Sequence, residues 1–241
     1  MASGESTRSR SRVALRTSLV VTATLIFAAC SAPEYSSPAW SGRIVDSETG
    51  APIEGAVVVV RWEVETFHAD LGGWLVMDEA VTDRDGMFHF KAWGPMRTRP
   101  DHRGSRTRLS PNEPSIDVFK SGYKIAGSAA GSEMGYMDDR SYTGPAVRKV
   151  YADGKAIALT RFRGTETQYG EYLDTSLPLG GPLCNYQLIP QMYAAVVMED
   201  MRLKSLTGSG IPNTSPRELE RTNGRFKCQL TLHDAIQRYM K

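Results

Sequence analysis

Between Gly42 and Tyr123 the apolar residues fall in short β-branched runs, and each run stops at a turn. Arg43–Asp46 reads as a first strand. It is closed by Glu48-Thr49-Gly50-Ala51-Pro52, where glycine supplies a positive φ and proline fixes the exit. Ala56–Glu65 is a second strand. Its opening Ala56-Val57-Val58-Val59-Val60 shows no polar alternation, which predicts a strand covered on both faces. The pattern breaks over Thr66–Gly73, read as a loop, and resumes from Trp74 to Thr82. Asp83-Arg84-Asp85-Gly86 predicts a tight turn. Met87–Lys91 then alternates, with Phe88 and Phe90 on one face and His89 and Lys91 on the other. The strands flanking this turn are expected to pair antiparallel. Trp93–Pro114 holds Pro95, Pro100, Pro111 and Pro114 and is expected to be a long surface excursion. Ser115–Lys120 returns to strand character, and Gly122-Tyr123 marks a turn.

Ala126–Gly144 is small and polar without periodicity and reads as loop. Val147–Tyr151 and Ala156–Arg161 predict two more strands across the Asp153-Gly154 turn, completing a sandwich or extending its edge. After Leu177 the character changes. Pro178–Pro182 is a break, and a helix is expected from about Ile189 to Leu206, with Met192, Ala195, Val196 and Leu203 on one buried face. Pro190 fits only in its first turn. Ser215-Pro216-Arg217-Glu218 has the form of a helix start, and Thr231–Tyr239 predicts a last helix with Leu232, Ala235, Ile236 and Tyr239 on one side. The expected division is a signal segment over 1–29, a tether over 30–40, a β-sandwich with inserted loops over 41–165, and a small helical segment over 178–241.

The N-terminus carries the address. Four arginines end at Arg16, and an apolar run from Leu19 to Ala29 follows, too short to span ~30 Å of hydrocarbon, which takes ~20 residues. Phe27-Ala28-Ala29-Cys30 resembles the bacterial lipobox, although Phe27 stands where an aliphatic residue is usual. The resemblance implies lipid on Cys30 and anchoring in the cell envelope. Ser31, in place of an aspartate, implies the outer membrane, facing the periplasm. An ordinary signal peptide cut near Ala29 would leave Cys30 incidental. Residues 1–29 carry a net +3 of the chain's +2, so the rest holds −1. A nearly neutral surface offers no electrostatic reason to bind nucleic acid. Of three cysteines, Cys184 and Cys228 remain once Cys30 is set aside. In an oxidising compartment they are expected to form a disulfide that staples the small helical appendage, with two free thiols as the alternative.

Gly42, Val45-Asp46, Thr49-Gly50-Ala51-Pro52-Ile53, Gly55-Ala56-Val57, Val81-Thr82, Asp85-Gly86, Phe88 and Gly122-Tyr123 together resemble the carboxypeptidase regulatory-like domain. The resemblance implies a mainly β fold, a transthyretin-like (prealbumin-like) seven-stranded β-sandwich, here followed by a small α-helical C-terminal segment. Such domains are usually non-catalytic modules of exported bacterial proteins, so the resemblance implies an envelope protein that binds a peptide, a glycan or another envelope protein.

Catalytic chemistry finds little support. The four histidines open His68-Ala-Asp-Leu, His89-Phe-Lys-Ala, His102-Arg-Gly-Ser and His233-Asp-Ala-Ile, none with the glutamate three residues on that a zinc peptidase needs. Asp83 and Asp85 begin like a calcium loop, but its twelfth position is Gly94, so no metal is expected. His102-Arg103-Gly104-Ser105 resembles the tail of transthyretin-like hydrolases of the urate pathway, yet lies mid-chain. There is no G-x-S-x-G elbow and no glycine-rich phosphate loop, and no cofactor is expected. The candidate binding residues are Trp62, Trp74 and Trp93, which can stack on sugars if exposed, and Arg97, Arg99 and Arg103, which can meet acidic groups. The leading reading is a binding module. A carbohydrate-binding module and a hydrolase with an unrecognised site are the alternatives.

Overall fold

The computed structural model describes residues 34–66, 71–99, 107–110, 114–127, 147–148, 150–177, 179, 184–212, 214 and 228–240. The signal segment, Cys30, His68, His102, Arg103 and the helix start at Ser215 lie outside them. The chain is mainly β. Its strands are β1 (Glu34–Ser37), β2 (Trp40–Asp46), β3 (Val57–Thr66), β4 (Leu71–Val81), β5 (Met87–Phe90), β6 (Trp93–Arg97), β7 (Thr107–Leu109), β8 (Ser115–Phe119), β9 (Ala126–Gly127) and β10 (Ala156–Leu159). Helices α1 (Glu166–Ser176), α2 (Pro190–Thr207) and α3 (Leu232–Ile236) follow. One sheet has the order β10-β2-β5. A second runs β4-β3-β8-β9, with β7 also on β3, and β1 pairs β6 in a two-stranded ribbon.

β3 is the central strand. Val58 and Val60 point inward with Trp40, Ile44, Phe88, Phe90, Ile116 and Val118. Val57 and Val59 point outward and are buried by Met192, Tyr193 and Val196 of α2. The unbroken valine run is therefore apolar because two cores meet on it, as its pattern predicts. At ~25 cal/mol per Å² of apolar surface, each such valine contributes ~1.5 kcal/mol or more. The inner core closes on an aromatic cluster, with Trp40 stacked on Phe90 at 4.9 Å and edge-on to Phe88 at 5.5 Å. Phe88 and Phe90 are buried and His89 exposed, following the alternation read from the sequence.

The structure corrects several expectations. The strands flanking Asp83–Gly86 do not form a hairpin: β4 pairs β3 and β5 pairs β2, so the turn carries the chain from one sheet to the other. The turn itself is closed, with Asp83 N–H on Met87 O and Gly86 N–H on Asp83 O, both 2.9 Å. Gly86 has φ +73°, and a Cβ there would overlap the Ile44 carbonyl, so only glycine fits against β2. The tether does not extend to residue 40. Glu34–Ser37 is β1, with Tyr35 and Ser37 buried in alternation that the Ser/Pro-rich composition obscured. Trp93–Pro114 is not a plain surface excursion, because β6 pairs β1 and β7 pairs β3, with Leu109 buried. Pro95 is tolerated in β6 because that ribbon is only two strands wide. Ala126–Gly144 is likewise not all loop, since Ala126–Gly127 forms β9 against β8. The described residues of 147–151 form no strand: Val147 makes a single parallel bridge to Ser36, and Tyr151 is an exposed turn residue. β10 runs parallel to β2.

The helices form a layer on the outer face of the second sheet rather than an appendage. α1 was not visible from apolar spacing. Its start is a capping box, Thr165 Oγ1 accepting Gln168 N–H at 3.2 Å and Gln168 Oε1 accepting Thr165 N–H at 2.9 Å. α2 begins with Pro190 in its first turn and has no side-chain cap of its own. Glu79 of β4 supplies it, accepting the N–H groups of Gln191 at 2.7 Å and Met192 at 2.9 Å. Of the face expected to be buried, Met192, Val196 and Leu203 are, and Ala195 only partly. Cys184 and Cys228 lie at disulfide distance, their Cα atoms 5.6 Å apart and 44 residues apart in sequence. They clip the turn before α2 to the turn before α3.

Candidate binding cleft

The two main sheets meet at one corner. There Lys124 N–H donates to Thr160 O at 2.8 Å, Phe162 N–H to Gly122 O at 2.9 Å, and Tyr123 bridges Arg161 antiparallel. Continued along the chain, that register would place Ala126 opposite Ala158. The pairing stops short of them. β9 turns away to join β8, while β10 stays on β2, and the two strand edges splay apart. The gap is an open cleft of about 440 Å³ with Ala126 on one wall and Ala158 on the other, within the size range of small-ligand sites.

α1 forms the third wall through Tyr172, Thr175 and Ser176. The Tyr172 hydroxyl accepts Ile125 N–H at 2.8 Å, which holds the start of β9 in place. Thr175 Oγ1 returns to its own helix at Tyr172 O, 3.0 Å away. Lys124 stands at the closed end of the cleft, exposed, and its ammonium makes no hydrogen bond or ion pair to any described residue.

The corner is built on residues of the sequence motif. Tyr169 of α1 accepts Gly122 N–H at 3.0 Å and donates to Tyr123 O at 3.1 Å. Burial pushes its phenol well above the ordinary tyrosine range. Tyr123 donates to Asp46 Oδ2 at 2.9 Å, and Arg161 reaches the same oxygen at 2.8 Å. Asp46 Oδ1 accepts the N–H groups of Glu48 and Thr49, each at 3.0 Å. Burial would raise the Asp46 carboxyl, but the bonds from Tyr123, Thr49 and Glu48 outweigh it and hold the pKa at about 2. Thr82 plays a matching part elsewhere, accepting Ala56 N–H at 2.8 Å and donating to Ile53 O at 2.7 Å.

The residues singled out from the sequence do not converge here. Trp62 is 2% exposed inside the sandwich, edge-on to the half-buried Trp93 at 5.3 Å, so it is no platform for a sugar. Trp74 lies on the opposite face, half-buried, with the Arg61 guanidinium 5.3 Å from its ring. Arg61 pairs with the fully buried Asp117, whose carboxyl burial pushes up while Arg61 opposes it. Arg97 is exposed and pairs with Glu34 across the β1–β6 ribbon at 2.9 Å, and Arg99 is exposed. Asp83 Oδ1 accepts the N–H groups of Asp85 and Met87 at 2.9 and 2.8 Å, a turn duty that needs no cation. Among the described residues no group of three or more His, Cys, Asp and Glu is placed to share a metal. None of their helices is long and apolar enough to cross a membrane. The cleft escaped the sequence reading because its walls are ordinary Ala, Thr, Ser and Lys, brought together from residues 124 to 176. The Thr165-x-x-Gln168 capping box is the local signal that could have placed a helix there.

No family model and no curated protein matches the chain. Among solved structures, 3-chlorocatechol 1,2-dioxygenase from Rhodococcus opacus 1CP is similar over 55% of this chain and 61% of the enzyme, at 14% identity and a TM-score of 0.30. The chain thus spans less than two thirds of that enzyme, and a likeness so loose carries no argument about fold or chemistry.

Proposed function

We propose that this chain is a non-catalytic binding module of the bacterial cell envelope, held to the outer membrane by lipid on Cys30 and built on a seven-stranded transthyretin-like sandwich. The observation that supports the binding reading most is the splayed corner. Two strand edges, hydroxyl groups and a lysine whose ammonium has no partner among the described residues line one open cleft, which is a surface of donors and acceptors waiting for a partner. The fold reading draws support from the motif residues, since Asp46, Thr82, Gly86 and Tyr123 hold turns together. The envelope reading rests on the N-terminal sequence.

Two experiments test this. Titrating peptide and glycan panels into the purified chain, with tryptophan fluorescence as readout, is expected to give a ligand whose binding is lost in Ser176→Trp, which fills the cleft from α1. If every ligand found binds Ser176→Trp as well as the parent, the cleft is not the site. Cys30→Ala is expected to move the protein from the membrane to the soluble fraction; retention on membranes would refute the lipid anchor.

A further inference from the structure

Resting on the binding-module reading above, we propose that the cleft receives the extended C-terminal tail of a partner protein, added as a strand to the β10 edge with its terminal carboxylate on Lys124. The backbone supplies the first part of this. Arg43 N–H bonds Lys155 O at 3.0 Å and Ser47 N–H bonds Leu159 O at 2.9 Å, so residues 155, 157 and 159 direct their main-chain groups at β2. In a parallel ladder the alternate residues face the other way. Thr160 shows this, because its carbonyl takes Lys124 N–H at 2.8 Å on the far side from β2. Ala158, two residues earlier, therefore turns its N–H and C=O into the cleft, where no described backbone group pairs with them. An edge of this kind is completed by an added strand, whose main-chain bonds give affinity without demanding a sequence.

The shape of the cleft decides what part of a chain fits. It is a wedge, open where β9 and β10 diverge and shut where Lys124 bonds Thr160. A strand lying along β10 cannot run through the shut end, so it must stop there. A chain terminus is required, and the charge at that end selects which one. Lys124 places a cation with no described counter-ion at the shut end. The Tyr172 hydroxyl spends its oxygen on Ile125 N–H and keeps its own proton to donate. Ser176 adds a second hydroxyl on the same wall. A cation and two O–H donors suit a carboxylate and repel an ammonium. A tail whose C-terminus lies at Lys124 runs parallel to β10 and antiparallel to β9. The side walls of Ala126 and Ala158 leave room for small or flat side chains next to that terminus.

The test uses the purified chain and two libraries of random heptapeptides, one ending in a free carboxylate and the other in an amide, with enriched sequences remeasured by fluorescence anisotropy. Enrichment is expected from the free-acid library alone. Amidating an enriched peptide is expected to weaken it about tenfold or more, as the loss of a charge-assisted bond implies. Lys124→Met should weaken the acid form by a similar factor and leave the amide form unchanged. Ala158→Pro removes one outward N–H without touching the ladder to β2 and should weaken both forms. Ser176→Trp should abolish binding even if Ala158→Pro folds poorly. Equal enrichment from both libraries, indifference to Lys124→Met, or full binding by Ser176→Trp would each overturn the proposal, as would no enrichment from either. A different ligand that is lost in Ser176→Trp would keep the binding-module reading while overturning this one.

Discussion

Glu79 caps the start of α2 from the sheet, and its removal measures how far the helical layer belongs to the fold. Its two oxygens accept the N–H groups of Gln191 and Met192, two of the donors that every helix leaves open at its N-terminus. Met192 is fully buried against Val57 and Val59, so water cannot take over cleanly. Losing an N-cap costs ~1 kcal/mol, and each charge-assisted bond adds ~1.5 kcal/mol or more. Against this stands the cost of desolvating the carboxylate, which raises the Glu79 pKa despite both bonds. The balance predicts that Glu79→Ala destabilises by about 2 kcal/mol, or about 4–8 °C in Tm at this chain length. Glu79→Gln keeps one acceptor and avoids burying a charge, so it should stay within ~1 kcal/mol of the parent. The pH dependence has a definite sign. A raised folded-state pKa contributes stability that is complete below the unfolded value, ~4.3, and is lost as pH rises through the folded value. The parent should therefore lose stability relative to Glu79→Gln as pH rises above ~4. Urea unfolding followed by tryptophan fluorescence across pH 4–8, with hydrogen exchange at the Gln191 and Met192 amides, measures all three effects. A Glu79→Ala loss under ~0.5 kcal/mol, or a loss without faster exchange at those two amides, would refute the cross-layer cap.

Two further outcomes follow from the described geometry. Reducing the Cys184–Cys228 pair, or replacing both with Ala, should cost roughly 4 kcal/mol by loop closure over their separation, and non-reducing peptide mapping should recover the linked pair; free thiols at both positions would remove the clip. Tyr123→Phe deletes one of the bonds that hold the Asp46 carboxyl at about 2. Because that pKa is depressed, its stabilisation is present above the unfolded value of ~3.9 and is lost as pH falls through 2. The variant should thus be destabilised at pH 7 and match the parent near pH 2, and a difference of the same size at both pH values would show that Tyr123 does not act through Asp46.

Local pattern carried a good part of the fold. The valine run of β3, the Phe88/Phe90 alternation, the Asp83–Gly86 turn and the span of α2 were all legible, because each depends on neighbours within a few residues: propensity, turn chemistry and one-sided burial. Chain partners were less legible. Glu34–Ser37 and Trp93–Arg97 are strands because they have each other, and neither segment alone has the composition to say so. The Asp83–Gly86 turn has hairpin chemistry, yet it crosses between sheets because β3 and β2 are the better partners for β4 and β5.

The amino-acid sequence by itself determined a mainly β chain with valine-rich, doubly covered strands, turns fixed by glycine and aspartate, and helices toward the C-terminus. Those features follow from side-chain period and backbone φ preference, which act over a few residues. Only the tertiary structure decided that Glu79 caps α2, that Trp62 is core rather than platform, and that β9 and β10 part to leave Ala158 and Lys124 facing an open cleft. Each joins residues far apart in the chain, as Glu79 does with Gln191, and a contact at that distance leaves no period in the sequence to read.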